Sequence, residues 1–154
     1  LALLVITILM MLVFASFKTG LIALIPNITP DIVIGGIMGF FDIPMDSSTV
    51  LIMPMILGLA VDDTIHFINH TKLEFIRTGK YHISIVRSLR SVGLALIYTT
   101  IVLSANFLTY LTSEVNFYFF LGVLAVSGMV SALFADLFVT PLLIKRFKVF
   151  GKEK

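Results

Sequence analysis

Long apolar runs separated by short polar stretches dominate this chain. Five such runs cover residues 1–17, 21–41, 49–69, 92–111 and 117–144. Each is close to the ~20 residues that a helix needs to cross a bilayer. The pattern predicts an all-α membrane protein, with five transmembrane helices in a single domain over residues 1–154. Pro26, Asn27 and Pro30 interrupt the second run, which predicts a broken helix with Asp31 capping the part that resumes.

The connections between the runs are of two kinds. Residues 16–20, 42–48 and 112–116 are short and predict tight turns between antiparallel helices. Residues 70–91 are polar and basic, and their apolar positions recur at near-helical spacing: Leu73, Ile76, Ile83, Val86 and Leu89. This spacing predicts a cytoplasmic amphipathic linker that lies in the membrane interface as a helix broken near Gly79. An ordinary solvated linker is the alternative.

Composition and charge give the chain a compartment and an orientation. The residues are 58% hydrophobic and 13% charged, which excludes a soluble domain of this length. The absence of Cys excludes disulfides and thiolate metal sites. All 11 Lys and Arg follow the first, third or fifth run, whereas Asp42, Asp46 and Glu114 lie on the other side. The positive-inside rule predicts a multi-pass protein of the cell (inner) membrane with a cytoplasmic C-terminus. An odd number of spans that starts inside an apolar run predicts a fragment of a larger protein.

Two adjacent acids, Asp62 and Asp63, lie deep in the third run. A charge in hydrocarbon costs at least ~2.5–3.5 kcal/mol, so an intramembrane acid indicates a functional site. His66 is four residues after Asp62 and three after Asp63, on the same helix face. Mutual repulsion and burial both favour uptake of a proton by the pair, and His is the other natural proton carrier. We therefore predict a proton-coupling site of Asp62, Asp63 and His66.

Two simpler interpretations of these acids stay open. An Asp can cap a helix or pair with a neighbour, and the membrane can end near Val61, which would leave both acids at the cytoplasmic surface. Pro54 lies four residues before Gly58, which predicts a bend with freed backbone carbonyls next to the pair.

Polar residues of the fourth run are candidate partners for this site. We expect Thr99 and Thr100 to contact the third helix, because polar side chains in membrane helices usually face other helices. Ser104 either makes such a contact or bonds back to its own helix. Asp136 is a possible secondary site, with a structural role favoured over a transport role. We expect it to pair with a basic residue at the cytoplasmic end.

Small residues predict close helix packing at two places. One is the GxxxG step of Gly35 and Gly39. The other is a face in the fifth run formed by Ser127, Ser131, Ala135 and, beside them, Gly128 and Ala132.

A metal site is a minor alternative. Asp62, Asp63, His66 and His70 are a plausible oxygen and nitrogen ligand set. The chain has only three His, too few for a di-iron histidine box. Residues 64–70 also lack the further acids that a diphosphate site needs. Serine hydrolase, P-loop and dinucleotide motifs are absent, so we expect no enzyme activity, no cofactor and no metal.

The segment Gly58-Leu-Ala-Val-Asp62-Asp63-Thr-Ile-His66-Phe67 resembles a family signature. It is similar to the Gly-x-x-Val-Asp-Asp/Tyr-x-x-His-Phe motif of the resistance–nodulation–division (RND) superfamily, nearest to the MMPL and Patched-like exporters. Further resemblances, in the same order as in the family, are Leu24-Ile-Pro26-Asn27, Gly39-Phe-Phe-Asp-Ile-Pro44, Ser88-Leu-Arg-Ser-Val-Gly93, Thr99-Thr100, Asn106-Phe107, Ala135-Asp136-Leu and Pro141-Leu-Leu.

The resemblance implies the last five helices of a twelve-helix exporter that uses the proton gradient to move hydrophobic or lipid-like substrates. Asp62 would be the proton acceptor, Asp63 stands where some relatives have Tyr, and Pro54 departs from the family pattern. The implied partners are membrane lipids, a hydrophobic or amphipathic small-molecule or lipid substrate, and the N-terminal repeat of the same protein. A homo-oligomer is an open possibility, and no nucleic acid is expected. Since sterol-sensing domains share this architecture, a non-transporting sterol or lipid sensor, or an assembly protein, is the alternative function.

Overall fold

The computed structural model describes residues 2–46 and 49–153, and helices account for the regular structure throughout them. The bundle is built from α1 (Ala2–Phe14), α2 (Phe17–Phe40), α3 (Thr49–Thr78), α4 (Tyr81–Thr112) and α5 (Asn116–Phe147). The helices α2 to α5 are each long and apolar enough to cross a membrane, which indicates a membrane protein. At 13 residues, α1 is about 20 Å long, against a hydrocarbon core of about 30 Å. The fifth span therefore stays a prediction.

Three helices form the centre of the bundle: α2, α3 and α5 contact one another. The helix α1 packs mainly on α2, while α4 packs along α5 and, through its first turns, on α3. Buried apolar residues form two clusters. One contains Phe14, Ala23, Phe67, Phe75 and Ile144, and the other contains Ile34, Ile52, Ile56, Leu124 and Met129. Along each central helix, the stretch between the two clusters carries the buried polar residues described below.

The close approach of the central helices depends on Gly128 of α5. A Cβ atom at this position would lie 2.7 Å from Ile34 Cδ1 and 2.9 Å from Ile56 Cγ2, so α2, α3 and α5 meet here. Packing at the small face around Gly128 is thus confirmed. The predicted GxxxG step packs only in part. A Cβ at Gly35 would lie 3.5 Å from Met53 Cε of α3, whereas a Cβ at Gly39 would have no neighbour within 4 Å among the described residues.

The predicted break in the second helix is wrong. The helix α2 is continuous from Phe17 to Phe40, with Pro26 and Pro30 buried inside it. Side chains add hydrogen bonds to its backbone, since Asn27 Nδ2 donates to the Ala23 carbonyl at 2.8 Å. Three helices also pack against α2. Such packing and side-chain hydrogen bonds let a membrane helix stay continuous across prolines. Asp31 therefore lies inside a helix and caps nothing; within the described chain, its enclosed Oδ1 has no hydrogen-bond partner.

Two features of α3 also differ from prediction. Pro54 lies in the first α-helical turn, where a missing N–H costs little, and the α-helix is continuous from Ile52 to Thr78. The predicted carbonyls freed next to the acids are therefore not found. The helix also extends well beyond residue 69, so the first part of the predicted linker is the end of α3.

The break near Gly79 is confirmed. Gly79 adopts the left-handed conformation, with φ 67°, and its N–H bonds the Phe75 carbonyl at 2.8 Å. The polypeptide resumes as α4 at Tyr81, so residues 70–91 are helical on both sides of a single turn. Their position in the membrane interface stays a prediction. Of the predicted turn at 42–48, Ser47 and Ser48 lie outside the described residues.

The three basic regions of the chain meet at one end of the bundle. Lys18 Nζ at the start of α2 donates to the Phe147 carbonyl at 2.6 Å. The hydroxyl of Tyr81, after the α3–α4 turn, donates to the Gly151 carbonyl at 2.9 Å and accepts the N–H of Phe150 at 2.8 Å. This arrangement agrees with the charge pattern, while the cytoplasmic side of that end stays a prediction.

Candidate functional site

Asp62 and His66 form an exposed pair on α3. Asp62 Oδ1 lies 3.6 Å from His66 Nε2, one helical turn away, and both side chains are about 70% exposed in the described bundle. The i, i+4 spacing therefore does bring the imidazole to this carboxylate. The pair faces outward from the five helices, so the surface that covers it in the membrane is lipid, water or another part of the protein.

Asp63 faces a different environment from Asp62. It is half-buried, and both acids border a cavity of about 160 Å³ between α3, α4 and α5. Thr99 and Thr100 of α4 line the same cavity, and the remaining walls are apolar: Ile56, Leu59, Ala60, Leu103, Met129 and Ala132. The predicted partners on the fourth helix are therefore near the acids. The hydroxyl of Thr99 donates to its own helix, to the Leu96 carbonyl at 3.0 Å.

Ser104 lies one turn beyond these threonines and does not border the cavity. Its enclosed Oγ has no hydrogen-bond partner in the part of the chain that is described. A supporting role for Ser104 at the acids stays a prediction without a contact behind it.

The buried polar centre of the bundle joins Asp136, the possible secondary site of the sequence analysis, to Asn27 and to two threonines that the sequence analysis did not single out. Thr64 of α3 is fully buried, and its Oγ1 lies 2.6 Å from Asp136 Oδ1 on α5 and 3.1 Å from Asn27 Oδ1 on α2. Thr140 Oγ1 donates to the same Asp136 oxygen at 3.2 Å. These four residues connect the three central helices through hydrogen bonds.

Asp136 is 1% exposed and lies in a π-helical segment, Ala135–Val139, within α5. Such segments widen a helical turn and are frequent at functional sites. The predicted pairing with a basic residue is wrong, because its polar partners are the hydroxyls of Thr64 and Thr140. Asp63 directly precedes Thr64 on α3, so this buried network lies one residue along the chain from the acid pair.

The periodicity of α3 contains the signal that identifies Thr64. The buried side of the helix runs through Ala60, Thr64, Phe67, Ile68 and Thr71, at the three- and four-residue spacing of one helix face. Because both sides of a membrane helix are apolar, sequence alone does not tell which face is covered by protein. That face places Asp62 and His66 outside and Thr64 inside.

His70 belongs to a separate cluster. Its Nδ1 lies 2.9 Å from Ser88 Oγ, and its Nε2 lies 3.3 Å from Ser91 Oγ, both on α4. Across residues 2–46 and 49–153, no group of three or more His, Asp or Glu side chains is placed to hold a metal ion.

Comparisons with protein-family models, with curated proteins and with solved structures find no match for this chain. What the site does must therefore be argued from its own residues and geometry.

Proposed function

We propose that this chain is the C-terminal transmembrane part of an RND-superfamily exporter of the MMPL and Patched-like branch. In this proposal the proton gradient drives export of hydrophobic or lipid-like substrates across the cell membrane. The observation that carries it is the position of Asp62 and Asp63, which lie inside a long apolar helix and border a small cavity lined by Thr99 and Thr100.

Two acids in this position favour a proton-dependent function over simple packing. An ionised carboxylate in a low-dielectric region must be hydrated or paired, whereas the protonated acid packs against apolar groups at much lower cost. The cavity beside Asp63 has apolar walls from α4 and from α5. A change of charge on Asp63 therefore alters the free energy of packing α4 and α5 on α3, which is how proton binding moves helices.

The size of the cavity supports a path for protons and not for substrate. At about 160 Å³ it holds roughly five water molecules, at about 30 Å³ each. Pockets for drug-sized ligands are larger, about 300–1,000 Å³. Substrate contacts are therefore proposed to lie elsewhere, with the partner half of the protein.

His66 has a supporting role in the proposal. Its imidazole is one turn from Asp62 at the exposed surface of α3, where it can pass a proton to or from that acid. Thr99 and Thr100 supply hydroxyl groups that donate hydrogen bonds to ionised Asp63, directly or through water in the cavity.

The proposal is tested with the full-length protein reconstituted in lipid vesicles, with a fluorescent phospholipid analogue as the transported probe. Wild type is expected to export the probe only under a proton gradient. The double variant Asp62→Asn, Asp63→Asn is expected to lose that export while folding normally. The matched control is Asp42→Asn, which changes an exposed acid outside the helices and should leave export intact.

Three outcomes would overturn the proposal. One is unchanged gradient-dependent export by the double variant, and another is export that persists after an ionophore collapses the gradient. A third is probe binding without export under any gradient, which indicates a lipid sensor.

A further inference from the structure

The oxygens of Asp136, Thr64 and Asn27 form a line across the centre of the bundle. Thr64 Oγ1 lies between Asp136 Oδ1 at 2.6 Å and Asn27 Oδ1 at 3.1 Å. Thr64 Oγ1 is within hydrogen-bonding reach of both oxygens, so one hydrogen in each of the two contacts gives the most favourable arrangement of this buried line. All three side chains are at most 1% exposed, so bulk water does not supply either hydrogen.

The available hydrogens are too few if Asp136 is ionised. A threonine hydroxyl has one hydrogen, and an ionised carboxylate and an amide oxygen have none. Thr64 then donates to Asp136 or to Asn27, and one close oxygen–oxygen contact is left without a hydrogen. An unsatisfied buried contact of this kind costs about 1–3 kcal/mol.

Rotating the Asn27 amide by 180° does not supply the missing hydrogen. Asn27 Nδ2 donates to the Ala23 carbonyl at 2.8 Å, within its own helix. Exchanging the amide nitrogen and oxygen would direct the amide oxygen at that carbonyl, so two acceptors would face each other. The nitrogen must therefore face Ala23, and the oxygen must face Thr64.

A proton on Asp136 satisfies every contact. The carboxylic acid donates to Thr64 Oγ1, and the Thr64 hydroxyl donates to Asn27 Oδ1. Thr140 still donates to Asp136 Oδ1 at 3.2 Å. We propose that Asp136, Thr64 and Asn27 form a second proton-binding site, in which a protonated Asp136 connects α5 to α3 and α2.

The charged surroundings of Asp136 agree with this assignment. The acid next to this line of residues along the chain is Asp63, which directly precedes Thr64 on α3. The other titratable or charged residues of the helices around the site and of the segments at the basic end of the bundle are Lys18 and Asp31 on α2; Asp62, His66, His70, Lys72, Glu74 and Arg77 on α3; Lys80 between α3 and α4; Tyr81, His82, Arg87, Arg90, Tyr98 and Tyr110 on α4; Tyr118, Lys145 and Arg146 on α5; and Lys148, Lys152 and Glu153 after α5. In the described part of the chain, none of them forms an ion pair with Asp136.

This site has a consequence of its own for the helix bundle. Removal of the proton leaves Thr64 able to bond only one of its two partners, so the hydrogen bonds joining α2, α3 and α5 at this level are reduced by one. The proton on Asp136 thereby sets how firmly the three central helices are held. This does not require Asp62 or His66, which face away from the site.

Infrared spectroscopy of the full-length protein in lipid at neutral pH tests the proposal without any transport assay. A protonated carboxyl group has a carbonyl band distinct from that of a carboxylate. We expect such a band in wild type, its loss in Asp136→Asn, and its persistence in Asp62→Asn. Thr64→Val should shift the band, because the acid loses its acceptor, whereas Thr64→Ser should leave it in place.

The absence of a carboxylic acid band that depends on Asp136 would overturn the proposal, as would a band that Thr64→Val leaves unshifted. If Asp136→Asn does not fold, the comparison of Thr64→Val with Thr64→Ser decides. Failure of proton-driven export with the band present would reject the proposed function and leave this site standing.

Discussion

Thr64 Oγ1 of α3 and Asp136 Oδ1 of α5 lie 2.6 Å apart, although 72 residues separate them along the chain. Both residues are buried between the two apolar clusters of the bundle. With Thr64 turned toward α5, Asp63 is half-buried beside the cavity and Asp62, which also borders the cavity, is largely exposed. The buried network and the proton-coupling acids are therefore two consequences of one helix orientation.

Removing the Thr64 hydroxyl should destabilise the bundle. Thr64→Val keeps the shape of the side chain but leaves Asp136 and Asn27 without their shared partner. We expect a loss of about 1–3 kcal/mol in the free energy of unfolding, measured by reversible unfolding in detergent micelles. Thr99→Val is the matched control, because in the described part of the chain that hydroxyl bonds its own helix, at the Leu96 carbonyl, and its effect should be within about 0.5 kcal/mol. Equal effects of the two variants would contradict the structural importance of the network.

Adding one methyl group at Gly128 should also be costly. The new Cβ would lie 2.7 Å from Ile34 and 2.9 Å from Ile56, both fully buried, so the central helices must move apart. Overpacking of this kind costs about 1–3 kcal/mol. Gly39→Ala is the control, since its Cβ would meet no described residue within 4 Å. Thermal unfolding of the two variants compares them directly, and an unfolding midpoint for Gly128→Ala as high as that for Gly39→Ala would show that the helices are not so close here.

The C-terminal segment should be released by Tyr81→Phe. The Tyr81 hydroxyl donates to the Gly151 carbonyl and accepts the Phe150 N–H, so the variant loses both bonds. We expect faster hydrogen exchange at the Phe150 amide, measured by mass spectrometry on peptides from the C-terminus. Tyr98→Phe, at an exposed position of α4, should not change that rate. Unchanged exchange in Tyr81→Phe would mean that other contacts hold the segment.

The orientation of the chain can be tested with single cysteines, because these 154 residues contain none. In a full-length background without other cysteines, Lys80→Cys and Lys152→Cys should react with a membrane-impermeant maleimide from the cytoplasmic side. Glu114→Cys, at the opposite end of α4, should react from the outside. Labelling of Lys80→Cys and Glu114→Cys from the same side would contradict the positive-inside assignment.

Hydropathy alone was enough to predict an all-helical chain and the approximate positions of α2 to α5. It did not predict the continuity of α2, because the prolines are tolerated through packing with α1, α3 and α5 and through the bond from Asn27 to Ala23. Hydropathy also predicts that α3 ends at residue 69, because the residues after that point are as polar as a linker. The backbone nevertheless stays helical to Thr78.

Sequence alone predicts the local part of the candidate site and not its long-range part. The spacing of Asp62 and His66 is local, so a helical pattern brings them together within one turn. The contact of Thr64 with Asp136 is long-range and depends on which face of α3 is covered by α2 and α5. Apolar residues occur on both the covered and the uncovered side of α3, so hydropathy alone does not tell which side is buried. The role of Asp136 therefore became visible only in the folded bundle.

The most direct test of the central claim is substrate-dependent proton movement through the full-length protein. Vesicles with an imposed proton gradient and an internal pH-sensitive dye are given the fluorescent phospholipid analogue, and wild type is compared with Asp63→Asn and Asp42→Asn. We expect the analogue to trigger proton flux in wild type and Asp42→Asn, and we expect this flux to be lost in Asp63→Asn. Equal probe-triggered proton flux in Asp63→Asn and wild type would contradict the central claim.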